Sequence, residues 1–152
     1  MLKWIYKNIF GCISNNDDIK DITYNDTIIF IPQIRFAKVI KVYDGDTITV
    51  ASKLPFKSSP IYRFSVRLKN IDSPEIKGDS DKECKLAIQS RDALHNLIIG
   101  KIIEIKNNEK DKYGRLLADI YYDNIHINKW MVDRGYAVKY NGGKKIKNID
   151  WD

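Results

Sequence analysis

Apolar and polar residues alternate from Phe36 to Val50, where the chain reads FAKVIKVYDGDTITV. Alternation that is rich in β-branched residues is typical of strands with one buried face. The Asp44-Gly45 pair interrupts this alternation halfway, and glycine accepts the positive φ that tight hairpin turns require. The segment therefore predicts two antiparallel strands, joined by a turn in which Gly45 supplies backbone freedom.

Three more strands are predicted further along the chain. The first covers residues 62–71 and stops at Ser73-Pro74, because proline cannot continue a hydrogen-bonded ladder. The other two, KIIEIK at 101–106 and RLLADIYYD at 115–123, flank a polar turn that reads NNEKDKYG. With the first pair, these runs give five strands in total.

The best helical pattern covers residues 81–99, and Gly100 follows it as a stop signal. Five apolar side chains share one face of this helix: Leu86, Ala93, Leu94, Leu97 and Ile98. A shorter helix is predicted at 127–134 before Gly135. Five strands with a helix between the third and the fourth predict an α+β fold, a five-stranded Greek-key β-barrel of the OB type with two to three helices.

The 152-residue length suits a single folded domain, which we place at residues 31–152. Residues 1–30 are polar and aperiodic in their second half and predict a leader that is either poorly ordered or membrane-associating. Its first part, residues 1–12, mixes lysines with aromatic side chains and lacks the features of a signal peptide. We expect a protein that is intracellular or held at a membrane surface, where Cys12 is a candidate for acylation.

The net charge of +6 and the pI near 9.2 leave two interpretations open, simple solubility or a polyanionic partner such as nucleic acid or an anionic membrane. The two cysteines, Cys12 and Cys84, lie far apart and form no metal-binding spacing. The two histidines are isolated in the sequence, which does not favour histidine-based catalysis.

Acidic and basic residues crowd into the segment RLKNIDSPE at 67–75. Asp46 follows the first turn and Asp72 ends the third strand, so both carboxylates are candidate ligands of a hard cation, together with the carbonyl of Ser73. Glu75 is a candidate general base, since a carboxylate beside a metal-bound water can accept its proton.

Two arginines complete this candidate site. The planar guanidinium groups of Arg67 and Arg115 suit the charge that develops on phosphate oxygens during cleavage of a phosphodiester. Five residues separate Arg67 from Asp72, so the strand must bend or bulge near Asn70 if both are to serve one site. Lys112, Tyr113 and Tyr140 are candidate contacts to phosphate and bases.

Taken together, these residues resemble the staphylococcal nuclease (thermonuclease-like) family. The likeness rests on DGDT at 44–47, the R-x4-D-x-P-E pattern at 67–75, and DKYGR at 111–115. It implies an OB-type barrel and a Ca²⁺-dependent nuclease that cleaves DNA and RNA to 3′-phosphate products. It also implies Asp46, Asp72 and Ser73 as metal ligands, Glu75 as the base, and Arg67 and Arg115 as transition-state stabilisers. A monomer is expected, and Mg²⁺ is the less favoured ion.

Two other interpretations stay open on the sequence. Glu75-Ile76-Lys77 spells E-x-K, the pattern of restriction-endonuclease-like enzymes that use Mg²⁺, leave 5′-phosphates and have a βαβ-type core. Alternatively, the domain is a catalytically silent module that binds nucleic acid or protein. A binder has no use for the acids, which repel phosphate unless a cation lies between them, and this argument favours the enzyme.

Overall fold

The computed structural model describes residues 19–78, 80–143 and 151. The chain divides into two compact units, residues 1–30 and 31–152. In the described part of the first unit, the hydroxyl group and the backbone N–H of Thr23 both donate to Asp26, at the start of a 3-10 helix at Tyr24–Asp26. The predictions for residues 1–12, including Cys12, lie outside the described residues. None of the described helices has the length and hydropathy needed to cross a membrane.

Eight strands and two helices make up the described part of the larger unit. In chain order they are β1 (Phe36–Val42), β2 (Thr47–Lys53), β3 (Ile61–Leu68), β4 (Ile71–Asp72), α1 (Asp81–Ile98), β5 (Ile102–Lys110), β6 (Leu116–Tyr122), β7 (Ile125–His126), α2 (Ile127–Asp133) and β8 (Val138–Lys139).

Five of these strands close into a barrel. Their order is β3-β2-β1-β5-β6, and all neighbours in this order are antiparallel. The barrel closes where β3 pairs in parallel with β6, with Val66 opposite Leu116. The α+β fold and the five-stranded OB-type barrel predicted from the sequence are therefore confirmed.

The core fills the inside of this barrel because alternate side chains along each strand point inward. Val39, Val50, Val66, Ile103 and Ile120 are all completely buried. Helix α1 adds Leu94 and Ile98 to the same hydrophobic cluster. The hydrophobic alternation in the sequence thus corresponds to the observed inward-facing positions.

Both predicted helices are present within about one residue of their expected ends. Helix α1 begins after Ser80, whose hydroxyl oxygen accepts a hydrogen bond from the Glu83 N–H, and it ends before Gly100, which has φ +73°. Gly135, also at φ +73°, follows α2. The N-cap side chain accepts a hydrogen bond from a free backbone N–H at the start of a helix, and a glycine with positive φ allows the chain to leave the helix at its end.

Two strand boundaries predicted from the sequence are wrong. Strand β3 ends at Leu68, and a turn with Asn70 at φ +59° separates it from the short β4. Strand β5 continues to Lys110 through residues expected to form a turn, with an irregularity in its pairing with β6 between Lys106 and Glu109. A largely solvent-exposed strand extension needs no apolar alternation, so its pattern resembles that of a loop.

Candidate active site

One cleft of about 790 Å³ lies where the turns after β1, β4 and β5 approach residues 140–143. It is lined by Tyr43, Asp44, Arg67, Glu75, Asp111, Lys112, Tyr113, Arg115, Leu117, Tyr140, Gly142 and Gly143. Six of the nine residues predicted for the site therefore line a single cavity. The other three, Asp46, Asp72 and Ser73, are buried and are not among its lining residues.

Arg67 connects the cleft to two buried carboxylates. Its Nη1 atom forms an ion pair with Asp46 Oδ1, and its Nη2 atom lies 2.8 Å from Asp72 Oδ1. Nη2 also donates to the carbonyl oxygen of Ile71 at 3.3 Å. Burial alone would lower the pKa of Arg67, but the charges and hydrogen bonds of Asp46 and Asp72 outweigh it and raise the pKa, so the guanidinium remains charged.

The turn at Asn70 brings Arg67 and Asp72 together. On a flat strand, residues five positions apart would point to opposite faces. In the structure, Asn70 has a φ of +59° in the turn between β3 and β4, and Arg67 and Asp72 form an ion pair across this turn. The predicted bend near Asn70 is confirmed, and asparagine is one of the few non-glycine residues that adopt this conformation at small cost.

Gly45 has a different role from the one predicted. It is not among the residues with positive φ, so backbone freedom does not explain the glycine. A Cβ atom at this position would overlap Ser90 Oγ on α1 and would lie 2.8 Å from Ser73 Cβ. Glycine is therefore required because the turn between β1 and β2 packs directly against α1 and the segment after β4.

Asp44 and Asp46 form a pair of acids within this turn. Asp44 Oδ1 accepts a hydrogen bond from the Asp46 N–H at 3.0 Å. Burial of Asp44 and the negative charge of Asp46 raise the pKa of Asp44 to about 6. Asp46 itself accepts hydrogen bonds from Thr47 Oγ1 and from the Ser73 N–H, which fix the orientation of its carboxylate.

The buried acids supply the donor chemistry of a hard-cation site but not a complete ligand set. Asp46 and Asp72 are 2% and 5% exposed, and carboxylate oxygens are the ligands that Ca²⁺ and Mg²⁺ prefer. Within the described part of the chain, no three His, Cys, Asp or Glu side chains are grouped as metal ligands. If both acids bound a cation, the cation would have to replace part of their ion pairing with Arg67. Other oxygen ligands, such as the Ser73 carbonyl or waters, would have to complete its coordination.

Glu75 lies in the cleft, and its side chain is exposed. Its backbone N–H donates to Glu83 Oε1, at a distance of 3.2 Å. Glu83 is buried in the first turn of α1, and a Cβ atom at Gly78 would lie 2.7 Å from its Cγ. The helix therefore holds the segment that carries Glu75. The Ser80-x-x-Glu83 pattern signals a helix start, but not this contact.

The turn between β5 and β6 presents Arg115. Asp111 Oδ1 accepts hydrogen bonds from the backbone N–H groups of Tyr113 and Arg115, and Asp111 Oδ2 lies 2.7 Å from Arg115 Nε. Burial would raise the pKa of Asp111, but the Arg115 side chain and these backbone hydrogen bonds outweigh it and lower the pKa. Asp111 thus orients the arginine, a role that sequence reasoning missed although the Asx-turn spacing within DKYGR allows it.

Aromatic side chains frame the rest of the cleft. The ring of Tyr113 is 72% exposed, with Lys112 Nζ at 5.0 Å and the Arg115 guanidinium at 5.4 Å from its centroid. Tyr140 donates from its hydroxyl group to the carbonyl oxygen of Gly143 at 2.6 Å. Tyr43 also lines the cleft and was missed, because a tyrosine at the end of a strand has no distinctive sequence signal.

Comparison with known proteins identifies the same family that the sequence motifs resemble. The family model of the staphylococcal nuclease homologues matches residues 65–150. An uncharacterized endonuclease of Escherichia coli O157:H7 is 36% identical over 104 residues, which is 68% of this chain and 60% of that protein. An uncharacterized endonuclease of Haemophilus influenzae is also 36% identical, over 68% of this chain and 51% of its own length.

A plant protein shows the same likeness over a shorter region. A probable staphylococcal-like nuclease of Oryza sativa subsp. japonica is 37% identical over 75 residues, covering 49% of this chain and 19% of the plant protein. The chain thus spans about 60% or less of the length of each of these three relatives. The five-stranded barrel is consistent with this family and the family model covers more than half of the chain, so the chain belongs to the family of staphylococcal nuclease homologues.

Proposed function

We propose that the chain is a hydrolase that cleaves phosphodiester bonds in DNA and RNA. The observation that carries this proposal is the composition of one cleft, which combines the carboxylate of Glu75 with the guanidinium groups of Arg67 and Arg115. Hydrolysis of a phosphodiester requires a proton acceptor for water and cations for the charge on phosphorus oxygens. The names of the bacterial and plant relatives support the same activity.

Each side chain has a defined task in this reaction. Glu75 accepts a proton from the water whose oxygen attacks phosphorus. Arg67 and Arg115 pair with the non-bridging oxygens, where negative charge increases as the transition state forms. The bond between phosphorus and the 5′ oxygen breaks, and the leaving oxygen takes a proton from solvent. The products then carry a 3′-phosphate on one side and a 5′-hydroxyl on the other.

The family generally consists of metal-dependent nucleases, and Ca²⁺ is the ion we propose. When bound, a divalent cation lowers the pKa of a coordinated water and neutralises phosphate charge. Asp46 and Asp72 would hold it together with the Ser73 carbonyl. Their burial and their hydrogen bonds orient the carboxylates before any ion arrives.

Substrate contacts in the cleft favour nucleic acid without base selection. Lys112 supplies a positive charge for the backbone, and the exposed ring of Tyr113 supplies a stacking surface that accepts any base. Tyr140 adds a second ring beside Gly142 and Gly143. We expect the protein to act on both DNA and RNA, and to do so as a monomer.

A catalytically silent binding module is the second candidate, and one observation favours it. Arg67 already lies between Asp46 and Asp72, so these acids have a counter-charge without any metal ion. The presence of acids beside a phosphate-binding cleft therefore does not by itself demand a metal. The E-x-K interpretation is weaker, because the barrel is not the βαβ-type core that it requires.

The deciding experiment is cleavage of single-stranded DNA with Ca²⁺, with Mg²⁺ and with a chelator, followed by analysis of the product ends. We expect Ca²⁺-dependent products with 3′-phosphates. Binding without cleavage in every metal would establish the silent module, and Mg²⁺-dependent 5′-phosphates would establish the E-x-K chemistry.

Substitutions then test the assigned roles. Glu75→Ala, Arg67→Ala and Arg115→Ala should each lower the cleavage rate by about a hundredfold or more. Arg91→Ala is the matched control, since Arg91 lies on α1, pairs with Asp92 and is not among the residues that line the cleft. A rate like that of the wild type in any of the first three variants would remove that residue from the mechanism.

A further inference from the structure

The outer surface of β1, β2 and β3 carries positive charge next to the cleft. Its exposed cations are Lys38, Lys41, Lys53 and Arg63, and we call these four residues the basic outer face. Residues 47–66 contain no aspartate or glutamate, and neither do residues 31–43. Among the ion pairs of the described residues, none involves a member of this face.

The strand register places these cations on successive rungs of one surface. Thr49 of β2 lies between Lys41 of β1 and Ser65 of β3, and Ala51 lies between Lys38 and Arg63 in the same way. Lys53 lies one rung further, opposite Ile61. The irregularity of β1 between Val39 and Lys41 turns both Ile40 and Lys41 toward solvent.

The first rung of this surface reaches the cleft itself. Thr47 is paired with Arg67, whose guanidinium lines the cavity. Lys41 Nζ lies 5.7 Å from the centroid of the Tyr43 ring, and Tyr43 also lines the cavity. Strands β1, β2 and β3 carry no carboxylate among Lys38, Lys41, Lys53 and Arg63, and the acids Asp44 and Asp46 lie in the turn at the cleft end of this surface.

The length of this surface fits an extended strand. Arg67 and Ile61 are six residues apart on β3, which corresponds to about 20 Å along the strand. Exposed apolar and aromatic side chains at its far end, Phe56 and Ile61, are 52% and 69% exposed. A row of cations that ends near an exposed aromatic ring, here Phe56, combines backbone charge with a stacking surface, as in proteins that bind single-stranded nucleic acid without base selection.

We propose that the basic outer face binds the part of a single-stranded DNA or RNA substrate that extends beyond the scissile phosphate. This inference rests on the proposed nuclease function and extends it, because it predicts that long strands bind better than short ones. The phosphates of the strand contact Lys41 first, then Lys38 and Arg63, and then Lys53. The bases remain free to lie against solvent or the exposed apolar side chains.

The test uses the full chain and a triple variant, Lys38→Gln/Lys53→Gln/Arg63→Gln, which leaves every residue of the cleft intact. The matched control is Lys82→Gln/Lys85→Gln/Lys101→Gln, which removes three exposed cations from α1 and the residues after it. Binding of an oligothymidylate of about sixteen nucleotides is measured in chelator by fluorescence anisotropy, between about 50 and 200 mM salt. Cleavage of the same strand and of a dinucleotide is measured with Ca²⁺.

The expected result is a loss of affinity for the long strand of about tenfold to a hundredfold in the first variant. The slope of log affinity against log salt should become shallower by about 2, since each phosphate contact to a single strand contributes about 0.7. Cleavage of the dinucleotide should not change. The control variant should retain the slope and the affinity of the wild type.

Three outcomes would overturn the proposal: equal slopes in the first variant and the wild type, equal loss in both triple variants, or equal loss for the long strand and the dinucleotide. Loss of binding to vesicles that contain anionic lipid, with unchanged oligothymidylate binding, would assign the face to a membrane instead. If the wild type cleaves nothing, the nuclease function fails, while the salt slopes in chelator still decide the role of this face.

Discussion

Replacing Arg67 by alanine removes the counter-charge of two carboxylates that have almost no access to water. The side chains of Asp46 and Asp72 are 3% and 7% exposed, and the side chain of Arg67 is 14% exposed. Ion pairs on the surface contribute about 0–1 kcal/mol, but removing one partner of a buried pair costs about 3–5 kcal/mol. The burial values show that the ion pairs of Arg67 are buried ones, so Arg67→Ala should lose about 3–5 kcal/mol of unfolding free energy.

Urea unfolding in chelator measures this loss, and two further variants show its origin. Arg67→Lys restores one positive charge but not the planar fork that reaches both acids, so its stability should lie between those of the alanine variant and the wild type. Asp72→Asn in the Arg67→Ala background removes one of the two carboxylate charges that have lost Arg67 and should recover part of the loss. Addition of Ca²⁺ should raise the melting temperature of Arg67→Ala more than that of the wild type, since an ion would replace the missing charge.

Two results would refute this reasoning. The first is an Arg67→Ala variant within about 1 kcal/mol of the wild type, which would mean that water or other groups compensate the acids as well as the arginine does. The second is a double variant no more stable than Arg67→Ala alone, which would place the cost in lost packing and not in charge. Arg91→Ala again serves as the control for loss of an arginine whose ion pair is exposed.

Four further substitutions test individual contacts. Glu83→Ala should lower kcat for DNA cleavage more than it raises KM, because the backbone N–H of Glu75 loses its hydrogen-bond acceptor. Glu83→Gln keeps an acceptor oxygen and should retain most of the activity. Equal losses of activity in both variants would contradict this role of Glu83. Asn128→Ala should lower the free energy of unfolding in urea by about 2–3 kcal/mol, because the buried Asn128 side chain accepts a hydrogen bond from Ile120 N and donates to Lys69 O and Ala118 O. Asn96→Ala, at an exposed position of α1, should lower it by almost nothing. Between about pH 4 and pH 6, Asp44 binds more protons in the folded protein than in the unfolded chain, because its pKa is raised to about 6, so in chelator the stability that protonated Asp44 contributes is lost as pH rises through this window; Asp44→Asn should flatten the pH profile of stability there, and parallel profiles would contradict the assignment. Gly45→Ala should cost about 1–3 kcal/mol by overpacking against α1, and an unchanged melting temperature would show that Ser90 and Ser73 can move apart.

The regular elements of the fold were predictable because their signals are local. Alternation identifies strands β1 and β2, and a glycine after the last apolar residue identifies the end of α1. The pairing of β4 with β8 was missed, since each strand has only two residues and its partner lies more than sixty residues away. Two residues are too few to show any periodicity.

The members of the candidate site were also predictable, but the reasons for some of them were not. Gly45 belongs to a recognisable turn, yet its absent side chain matters because of Ser90 on a helix that begins much later in the chain. The anchoring of Glu75 by Glu83 likewise depends on how α1 packs against the segment after β4. Contacts of this kind are set by tertiary packing, and no local pattern of one sequence contains them.

The same packing changes how the charges of the site should be interpreted. From the sequence, acids beside a phosphate site implied a metal ion, because the acids would otherwise repel the substrate. In the structure, Arg67 pairs with both Asp46 and Asp72, and these three groups together carry one negative charge. A divalent cation would change this sum to one positive charge, which matches the single negative charge of a phosphodiester. In the proposed function, Arg67 pairs with Asp46 and Asp72 in the absence of an ion, and a cation held by these acids would replace part of that pairing and leave the Arg67 guanidinium available to the phosphate.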